Sequence, residues 1–571
     1  MSDQGSLNLQ WSQALVAGFA AAGVSHAVLS PGSRSTPLAL ACLRHGDLAS
    51  EVIVDERCAA FFALGIAKAA RRPVLLLATS GSAPANWLPA VVEADRAGVP
   101  LILLSADRPP ELHDCGANQT VPQAAMFAPY VRGTHALAAP GPETPTAWLH
   151  RLAAQVVEQA TWPLAGPVHL NQPFREPLLP LAEAEAPPPA PEAAPLRINR
   201  PEPRVSADTL AVLATRLSGR PGAIICGEGD YPPAFAAAVA GLAERLACPI
   251  LAEPLANLRH GPHDRRRILC HYDGWLRDAL FVAGHRPEWV LRFGAFPVTR
   301  SLQGFAAGAS DLTVLVDPQP RWNDPANTVT DLLRAAPLAV CEGLLEQNLA
   351  PAPADWFAAF AAAEARARKA QSALPDHCEG RLIPTLLAAL PEDCPVFVGN
   401  SMVIRDLDAF AGGGDRPLRF HGNRGASGID GNVSTALGIA AAQGRVVALL
   451  GDLACQHDLG GLAAARGRQA VFVVFNNGGG SIFEHLPQAG LPEFERGWLT
   501  PQHIDFAAAA ATFGLAYALA ADSRSLLAAL PAAMAANGPT VIELRLERLT
   551  SVKCRQAWHD ACTASSHHSD H

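Results

Sequence analysis

One repeated pattern limits what this chain can fold into. A short apolar run ends in Gly, Ser, Asp or Asn, and an Ala/Leu-rich stretch of helical character follows it. Continuous apolar strands that alternate with helices are typical of parallel sheets covered on both faces. The predicted strands are 24–30, 51–55, 74–78 and 101–105, then 223–226, 249–252, 289–292 and 312–316, then 396–398, 445–450, 470–475 and 540–544. The sequence therefore predicts an α/β protein with three doubly wound parallel-sheet domains.

The length of the chain and the positions of its domain boundaries agree with three domains. At about 150 residues per domain, 571 residues suffice for three or four domains with their own cores. Pro/Ala/Glu-rich sequence over 180–203 is typical of an extended linker, and a second boundary lies near 350–372. The predicted order is a first domain over 1–182, a linker over 183–204, a central domain over 205–350, a third domain over 370–555 and a His-rich flexible tail over 556–571.

Composition excludes several classes of protein. A formal net charge of −9 argues against a protein that mainly coats nucleic acid. The apolar stretch that most resembles a membrane-spanning helix, 506–521, is mostly Ala and is too short to cross a bilayer. No Lys or Arg precedes Arg34, so a secretory signal is not expected. The twelve cysteines are scattered without metal-ligand spacing, so we expect neither a zinc site nor a disulfide framework, and a reducing cytoplasm is the predicted location.

The most informative segment joins the ends of two predicted strands. Gly451 and Asp452 end the strand RVVALL, and Asn477 follows the strand AVFVVF 25 residues after Asp452. That separation holds one loop, one helix and the next parallel strand, so both side chains should meet at one sheet edge. A carboxylate, an amide oxygen and a backbone carbonyl suit Mg²⁺ that shares its shell with a diphosphate. Either segment alone would more often be an ordinary strand-end turn.

The pair resembles the thiamin diphosphate motif, GDG followed by NN, with Leu453 in place of the last Gly. Such enzymes need a carboxyl group on the cofactor's pyrimidine ring nitrogen, where it favours the imino tautomer that deprotonates the thiazolium carbon. Glu56 is the candidate, since it follows the strand EVIV and precedes the apolar residues CAAFF, which would partly desolvate it. The alternative is that Asp-Glu-Arg simply begins a helix, with its acids at the favourable end.

Further motifs narrow the resemblance to one family. The segments are PGSRSTPLALA (31–41), TSGSAPAN (79–86), SADRPPELHDCGANQT (105–120), GNSMVIRD (399–406), NRGASGIDG (423–431) and FNNGGGSIFEHLP (475–487). Together they resemble 2-succinyl-5-enolpyruvyl-6-hydroxy-3-cyclohexene-1-carboxylate (SEPHCHC) synthase, the thiamin-dependent enzyme of menaquinone biosynthesis. The resemblance runs from about residue 7 to 545, is weakest in the middle third, and includes GDL as the family's usual form of the first motif.

The resemblance implies decarboxylation of 2-oxoglutarate and 1,4-addition of the succinyl carbanion equivalent to isochorismate. These substrates carry four carboxylates between them, and the planar fork of arginine binds carboxylates in a bidentate manner. Matched motifs supply four arginines in strand-end loops, although any single one could be an ordinary solvated side chain. In the central domain Arg300 stands where the family commonly has Lys. These arginines and the other implied substrate contacts are Ser33, Arg34, Arg108, Asn118, Gln119, Arg300, Arg405, Arg424, Phe483 and Leu486.

The resemblance also assigns cofactor roles. It implies pyrimidine-binding, central nucleotide-binding-like and diphosphate-binding domains, in that order, with no flavin in the central one. It makes Glu56 the catalytic acid, Ile429 the apolar wedge that bends the cofactor, and Mg²⁺, or Mn²⁺, the metal. Asp452 and Asn477 would bind the metal by side chain and Gly479 by carbonyl. The remaining cofactor contacts would be Ser401, Gly451, Leu453 and Ile482, the last of them in an apolar wall with Phe483 and Leu486.

Two further expectations concern partners and alternatives. In this superfamily the first and third domains meet across a subunit interface, so the resemblance implies a homodimer or a dimer of dimers. Another thiamin-dependent 2-oxoacid decarboxylase, oxidase or acetohydroxyacid synthase would share the metal motif and Glu56 but not the arginines. A binding protein without catalysis would have no need to keep Glu56, Asp452 and Asn477 together.

Overall fold

The computed structural model describes residues 3–143, 145–180, 194 and 196–563. Three six-stranded sheets follow one another along the chain, and every strand pairing within them is parallel. Buried apolar clusters lie between the sheets and their helices. The predicted fold class, three doubly wound α/β domains, is confirmed.

The first sheet has the order β2-β1-β3-β4-β6-β5. Its strands are β1 (His26–Leu29), β2 (Ala49–Val52), β3 (Val74–Ala78), β4 (Leu101–Asp107), β5 (Thr134–Ala136) and β6 (Val168–Pro173). Its helices are α1 (Gln4–Ala21), α2 (Thr36–Arg44), α3 (Glu56–Ala70), α4 (Ser82–Ala85), α5 (Leu88–Ala97) and α6 (Thr146–Thr161). The strand predicted over 51–55 ends earlier, because Asp55 leaves the sheet and caps α3.

The central sheet has the order β12-β11-β10-β7-β8-β9, the classic dinucleotide-fold order. Its strands are β7 (Gly222–Cys226), β8 (Ile250–Ala252), β9 (Ile268–Leu269), β10 (Trp289–Phe293), β11 (Leu312–Val316) and β12 (Asp331–Leu333). Its helices are α7 (Ala207–Leu217), α8 (Phe235–Leu246), α9 (Tyr272–Trp275), α10 (Ala279–Gly284), α11 (Arg300–Ala306) and α12 (Pro337–Leu345). The predicted linker over 183–204 lies mostly outside the described residues. The second predicted boundary, near 350–372, contains helix α13 (Ala354–Ser372).

The third sheet repeats the topology of the first, in the order β14-β13-β15-β16-β18-β17. Its strands are β13 (Cys394–Val398), β14 (Leu418–Gly422), β15 (Arg445–Gly451), β16 (Gln469–Asn476), β17 (Ala516–Ala520) and β18 (Thr540–Arg545). Its helices are α14 (Glu379–Ala389), α15 (Met402–Phe410), α16 (Asn432–Gln443), α17 (Asp452–His457), α18 (Phe506–Phe513), α19 (Ser523–Ala535) and α20 (Arg548–Thr563). The apolar stretch 506–521 forms α18 and β17 with a left-handed turn at Gly514 between them. Within the described chain no helix has both the length and the apolar character needed to cross a bilayer.

The first and third domains pack on each other through α3 and α16. A Cβ on Gly65 would lie 2.1 Å from the Thr435 carbonyl oxygen, and one on Gly438 would lie 2.0 Å from the Phe62 carbonyl oxygen. Glycine at both positions therefore lets the two helix backbones approach each other directly.

The prediction of a flexible tail from residue 556 is wrong for residues 556–563. Cys554, Trp558 and Cys562 recur every four residues, so they share one face of α20 and bury it against the central domain and α13. Residues 564–571 lie outside the described part. A disulfide joins Cys378 to Cys554 across 176 residues. The remaining cysteines are free thiols, so the chain has one cross-link rather than a disulfide framework.

Candidate active site

Asp452 and Asn477 lie at the same edge of the third sheet. Asp452 directly follows β15 and Asn477 directly follows β16, and these two strands are neighbours with Gly451 opposite Phe475. Both residues line one open pocket of about 210 Å³. The predicted meeting of a carboxylate and an amide at one edge is therefore found in the structure.

The donor atoms at this edge suit a divalent cation. The Asn477 Nδ2 donates a hydrogen bond of 2.7 Å to the Ser481 hydroxyl, which turns the amide oxygen the other way. That oxygen, Oδ1, is buried and has no hydrogen-bond partner in the described chain. A buried acceptor without a donor is costly unless something binds it. An orphaned hard oxygen beside the buried Asp452 carboxylate is what Mg²⁺ or Mn²⁺ would use.

Gly479 shapes the loop beside these two residues. Its φ of +141° is one that residues with a side chain rarely adopt. A Cβ there would also lie 2.3 Å from the Leu499 carbonyl oxygen. The loop therefore requires glycine at the position predicted to offer its carbonyl to the metal.

Metal binding at this edge should depend on pH through Asp452. Burial raises the pKa of this carboxyl group to about 6, although backbone N–H groups of Leu453, Gly479 and Gly478 partly oppose the shift. Above pH 6 the group is ionised and can bind a cation, whereas below pH 6 a proton competes for it. We expect the apparent Kd for Mg²⁺, measured by titration calorimetry, to rise about tenfold per pH unit below 6. Asp452→Asn should abolish this slope, and an unchanged slope would contradict the assignment.

Helix α15 offers a place for an anion next to this edge. The nine-residue helix begins after Ser401, which has φ +70° and provides no side-chain cap within the described chain. Uncapped N–H groups at a helix start, together with the helix dipole, attract phosphate groups. Ser401 stands at this helix start, and the half-buried Ile429 lies in the loop before α16.

A cluster of arginines surrounds α15. Arg405 donates 2.7 Å to the Ser401 carbonyl oxygen. Burial lowers the pKa of Arg405, and the neighbouring charges of Arg424, Arg555 and Arg300 lower it further. Arg424 donates 2.6 Å to the side chain of Asn400, the residue next to Ser401, so these two predicted arginines are held by adjacent residues. Asp406 opposes this shift and pairs with Arg555, whereas no carboxylate of the described chain forms an ion pair with Arg405 or Arg424.

A second group of predicted residues lies at the carboxyl edge of the first sheet. Ser80 joins two of them, since its hydroxyl accepts a hydrogen bond from Arg108 and its carbonyl oxygen accepts one of 2.8 Å from the Gln119 side chain. Burial lowers the pKa of Arg108, and the charge of Arg34 lowers it further, so the two arginines are neighbours. Ser33 and Asn118 are exposed in the same loops.

Arg34 is held differently from the other arginines. Its guanidinium donates 3.0 Å to the Phe174 carbonyl oxygen and 2.8 Å to the Glu176 carboxylate. Glu176 is 71% exposed, so this ion pair is weak and a substrate carboxylate could replace it.

Glu56 is the first residue of α3. The Asp55 carboxylate accepts hydrogen bonds from the N–H groups of Arg57 (2.9 Å) and Cys58 (3.3 Å), so the helix-start interpretation is right about local structure. Glu56 itself is half-buried and forms no hydrogen bond or ion pair with a described residue. Its neighbour Cys58 lies 3.6 Å from Asp458, just after α17. Nothing among the described contacts joins Glu56 to the metal edge of its own chain.

The predicted apolar wall follows the metal loop directly. Ile482 and Phe483 lie in a 3₁₀ turn, Ser481–His485, and Leu486 ends it. All three side chains are half-buried, which leaves apolar surface open beside the loop of Asn477.

Several residues at the site were not predicted from the sequence. Ser80 and Asn400 stand inside the recognised motifs, yet nothing local shows that they hold Arg108 and Arg424. The third is Arg548 of α20, which pairs with Glu484 in the turn that carries the apolar wall. The spacing of four residues between Cys554, Trp558 and Cys562 was the sequence pattern that could have predicted helix α20.

Comparison with protein families matches both ends of the chain. Residues 9–126 match the N-terminal TPP binding domain of thiamine pyrophosphate enzymes, and residues 411–544 match the C-terminal TPP binding domain. These two regions contain Glu56 and the Asp452–Asn477 pair respectively.

Curated relatives and solved structures agree with these matches. SEPHCHC synthase of Dechloromonas aromatica is 53% identical, over 95% of this chain and 100% of the relative. The same enzyme of Myxococcus xanthus is 43% identical over 90% of each chain. Benzoylformate decarboxylase from Polynucleobacter necessarius shares the fold, with a TM-score of 0.70 and 17% identity over 94% of this chain and 98% of its own. A putative thiamin diphosphate-dependent enzyme from Mycobacterium smegmatis has a TM-score of 0.69 and 21% identity, over 95% and 100%.

Proposed function

The chain belongs to the SEPHCHC synthase family of thiamin diphosphate enzymes, and from that premise we propose its reaction. It decarboxylates 2-oxoglutarate and adds the remaining four-carbon unit to isochorismate, giving SEPHCHC and CO₂ for menaquinone biosynthesis. The observation that carries this proposal is the pair of arginines held by adjacent residues before α15, where Arg405 donates to the Ser401 carbonyl oxygen and Arg424 to the Asn400 side chain. A pocket for two dicarboxylates needs such arginines, whereas a pocket for one small monocarboxylate does not.

Thiamin diphosphate is the cofactor of this family, and the residues at the site fit it. When bound, it supplies the nucleophilic carbon and the electron sink for decarboxylation of a 2-oxoacid. Asp452, Asn477 and the Gly479 carbonyl would hold Mg²⁺, or Mn²⁺. Ser401 at the start of α15 and the backbone of 451–453 would bind the diphosphate. Ile429 and Ile482 would pack against the cofactor's rings.

Glu56 would hold a proton at the pyrimidine ring nitrogen. Its open, half-buried position at the start of α3 supports this role, because a carboxyl group without protein partners remains available to a ligand. The absence of a contact to its own chain's metal edge favours a homodimer, or a dimer of dimers, in which a partner subunit completes the site. Val52 and Val54, which are 56% and 77% exposed beside Glu56, would be covered there. The cytoplasmic location stays a prediction.

The substrates would lie between the two arginine groups. Arg300, Arg405 and Arg424 would bind carboxylates from one side, and Arg34, Arg108 and Gln119 from the other, with Ser33 and Asn118 beside them. Phe483 and Leu486 would exclude water from the reacting carbons, which prevents early protonation.

The test is a substrate comparison. The protein with thiamin diphosphate, Mg²⁺, 2-oxoglutarate and isochorismate should consume isochorismate, which is followed by its absorbance, and release CO₂. Omission of 2-oxoglutarate should stop the reaction. Turnover of pyruvate with isochorismate untouched would reject the proposal and favour another thiamin-dependent 2-oxoacid enzyme. No turnover of any 2-oxoacid by cofactor-loaded protein would favour a binding role.

A further inference from the structure

The loop that carries Arg424 is held by a side chain of the first domain. Glu93 of α5 accepts hydrogen bonds from the N–H groups of Gly425 (2.9 Å) and Ala426 (2.6 Å), one on each carboxylate oxygen. Hydrogen bonds to a buried ionised group are among the strong ones in proteins. Glu93 is 3% exposed, so it fixes the backbone just after Arg424 from within the protein core.

Lys68 of α3 holds the other side of the same loop. Its ammonium group donates to the carbonyl oxygen of Gly422, the last residue of β14, and lies 3.3 Å from the Glu93 carboxylate. Its side chain is 8% exposed. The two charges therefore compensate each other while they hold the backbone before and after Arg424.

The loop backbone also lies directly on α5. A Cβ on Gly425 would come within 2.5 Å of the Glu93 carbonyl oxygen and 2.6 Å of the Ala97 nitrogen. Only glycine permits this approach, so the amide groups next to Arg424 cannot move away from Glu93 without opening the domain contact.

Two of the nitrogens in the Arg424 guanidinium differ in their contacts. Its Nη1 donates 2.6 Å to the side-chain oxygen of Asn400. Its Nε is buried and has no hydrogen-bond partner in the described chain. A buried N–H group without an acceptor is costly, so Arg424 keeps a donor for a carboxylate that reaches it.

A side chain of the third domain also holds this loop. The Nδ2 group of Asn400 donates hydrogen bonds to the carbonyl oxygens of Asn423 (2.8 Å) and Gly428 (2.6 Å). The loop backbone is therefore held from both the first and the third domain.

We propose that Lys68 and Glu93 are positioning residues for substrate binding. They hold the backbone on both sides of Arg424, which keeps its guanidinium in place for a substrate carboxylate. This inference rests on the proposed function, because it takes Arg424 as a substrate ligand. Loss of the pair should therefore weaken substrate binding more than it slows the chemical step.

The first test is Glu93→Gln, which keeps the shape but leaves one oxygen acceptor for two N–H groups. We expect KM for one or both substrates to rise about tenfold, with kcat changed less than threefold. Amide exchange in the peptide containing 422–427 should become faster. Asp95→Asn is the control, since Asp95 stands on the same helix and pairs with Arg132 at 2.6 Å, away from the loop.

A double-mutant cycle with Arg424→Gln separates positioning from general destabilisation. If Glu93 acts through Arg424, Glu93→Gln adds no further rise in KM to the Arg424→Gln enzyme. Additive effects, or equal KM changes in the Glu93→Gln and Asp95→Asn variants, would overturn the proposal. If Glu93→Gln does not fold, Lys68→Met/Glu93→Gln removes both charges and takes its place in the same measurements.

The exchange measurement also keeps this inference distinct from the proposed function. A wild-type protein that leaves isochorismate untouched rejects the proposed function. Unchanged exchange of the loop amides in the Glu93→Gln variant overturns the positioning role, whatever the activity.

Discussion

Replacement of Glu56 by glutamine is expected to lower kcat by about 10²–10⁴-fold, while thiamin diphosphate binding stays measurable. Glutamine preserves the size of the side chain and can still form a hydrogen bond to the pyrimidine ring. It cannot exchange a proton with the ring nitrogen, so the loss should appear in turnover rather than in cofactor affinity. Helix α3 should remain intact, because Asp55 and not Glu56 caps it.

The measurement pairs steady-state turnover with cofactor titration by fluorescence quenching. Glu51→Gln is the matched control, since Glu51 lies five residues earlier and pairs with Arg468 at 2.8 Å, outside the site. We expect the control to retain turnover within about twofold, as a partly exposed ion pair contributes little. Turnover within tenfold of wild type in the Glu56 variant would remove Glu56 from the acid–base role.

The second large effect is expected at Asp452. Asp452→Ala should weaken Mg²⁺-dependent cofactor binding by two orders of magnitude or more, on the scale of roughly 3 kcal/mol for a lost charged ligand. The reason is that the site would keep one protein side chain, Asn477, and one backbone carbonyl for the cation. Activity should fall in parallel and recover only partly at high Mg²⁺.

Isothermal titration of Mg²⁺ in the presence of thiamin diphosphate measures this effect. Asp458→Asn is the control, because Asp458 is also buried, close to the end of α17, and burial likewise raises its pKa to about 6. Its carboxylate accepts a hydrogen bond of 2.7 Å from the Ser434 N–H, so its loss should lower thermal stability and spare metal affinity. Equal affinities in wild type and Asp452→Ala would exclude Asp452 from the metal shell.

Strands were predictable where the signal was local. The runs 74–78 and 312–316 match β3 and β11 residue for residue, because both strands are buried on both faces and almost wholly apolar. Five of the strands that the sequence did not predict, β5, β9, β12, β14 and β17, lie at or next to a sheet edge, where strands are short or partly exposed.

The sequence also did not predict strand β6, and the reason is different. It is an interior strand and fully buried, yet it carries His169, Asn171 and Gln172. Most of these polar groups have partners elsewhere in the fold, such as Ser105, whose hydroxyl lies 2.8 Å from the His169 ring. A buried polar strand depends on such distant partners, and no local pattern identifies them.

By itself the sequence determined the three parallel sheets and the edge at which Asp452 and Asn477 meet. Both follow from the order of apolar runs and from the polar residues that end them, which are properties of neighbouring residues. Only the tertiary structure decided that Lys68 and Glu93 hold the Arg424 loop and that α20 packs on the central domain. These contacts join residues hundreds of positions apart, and they form because buried charges and apolar faces must find partners once the domains close on one another.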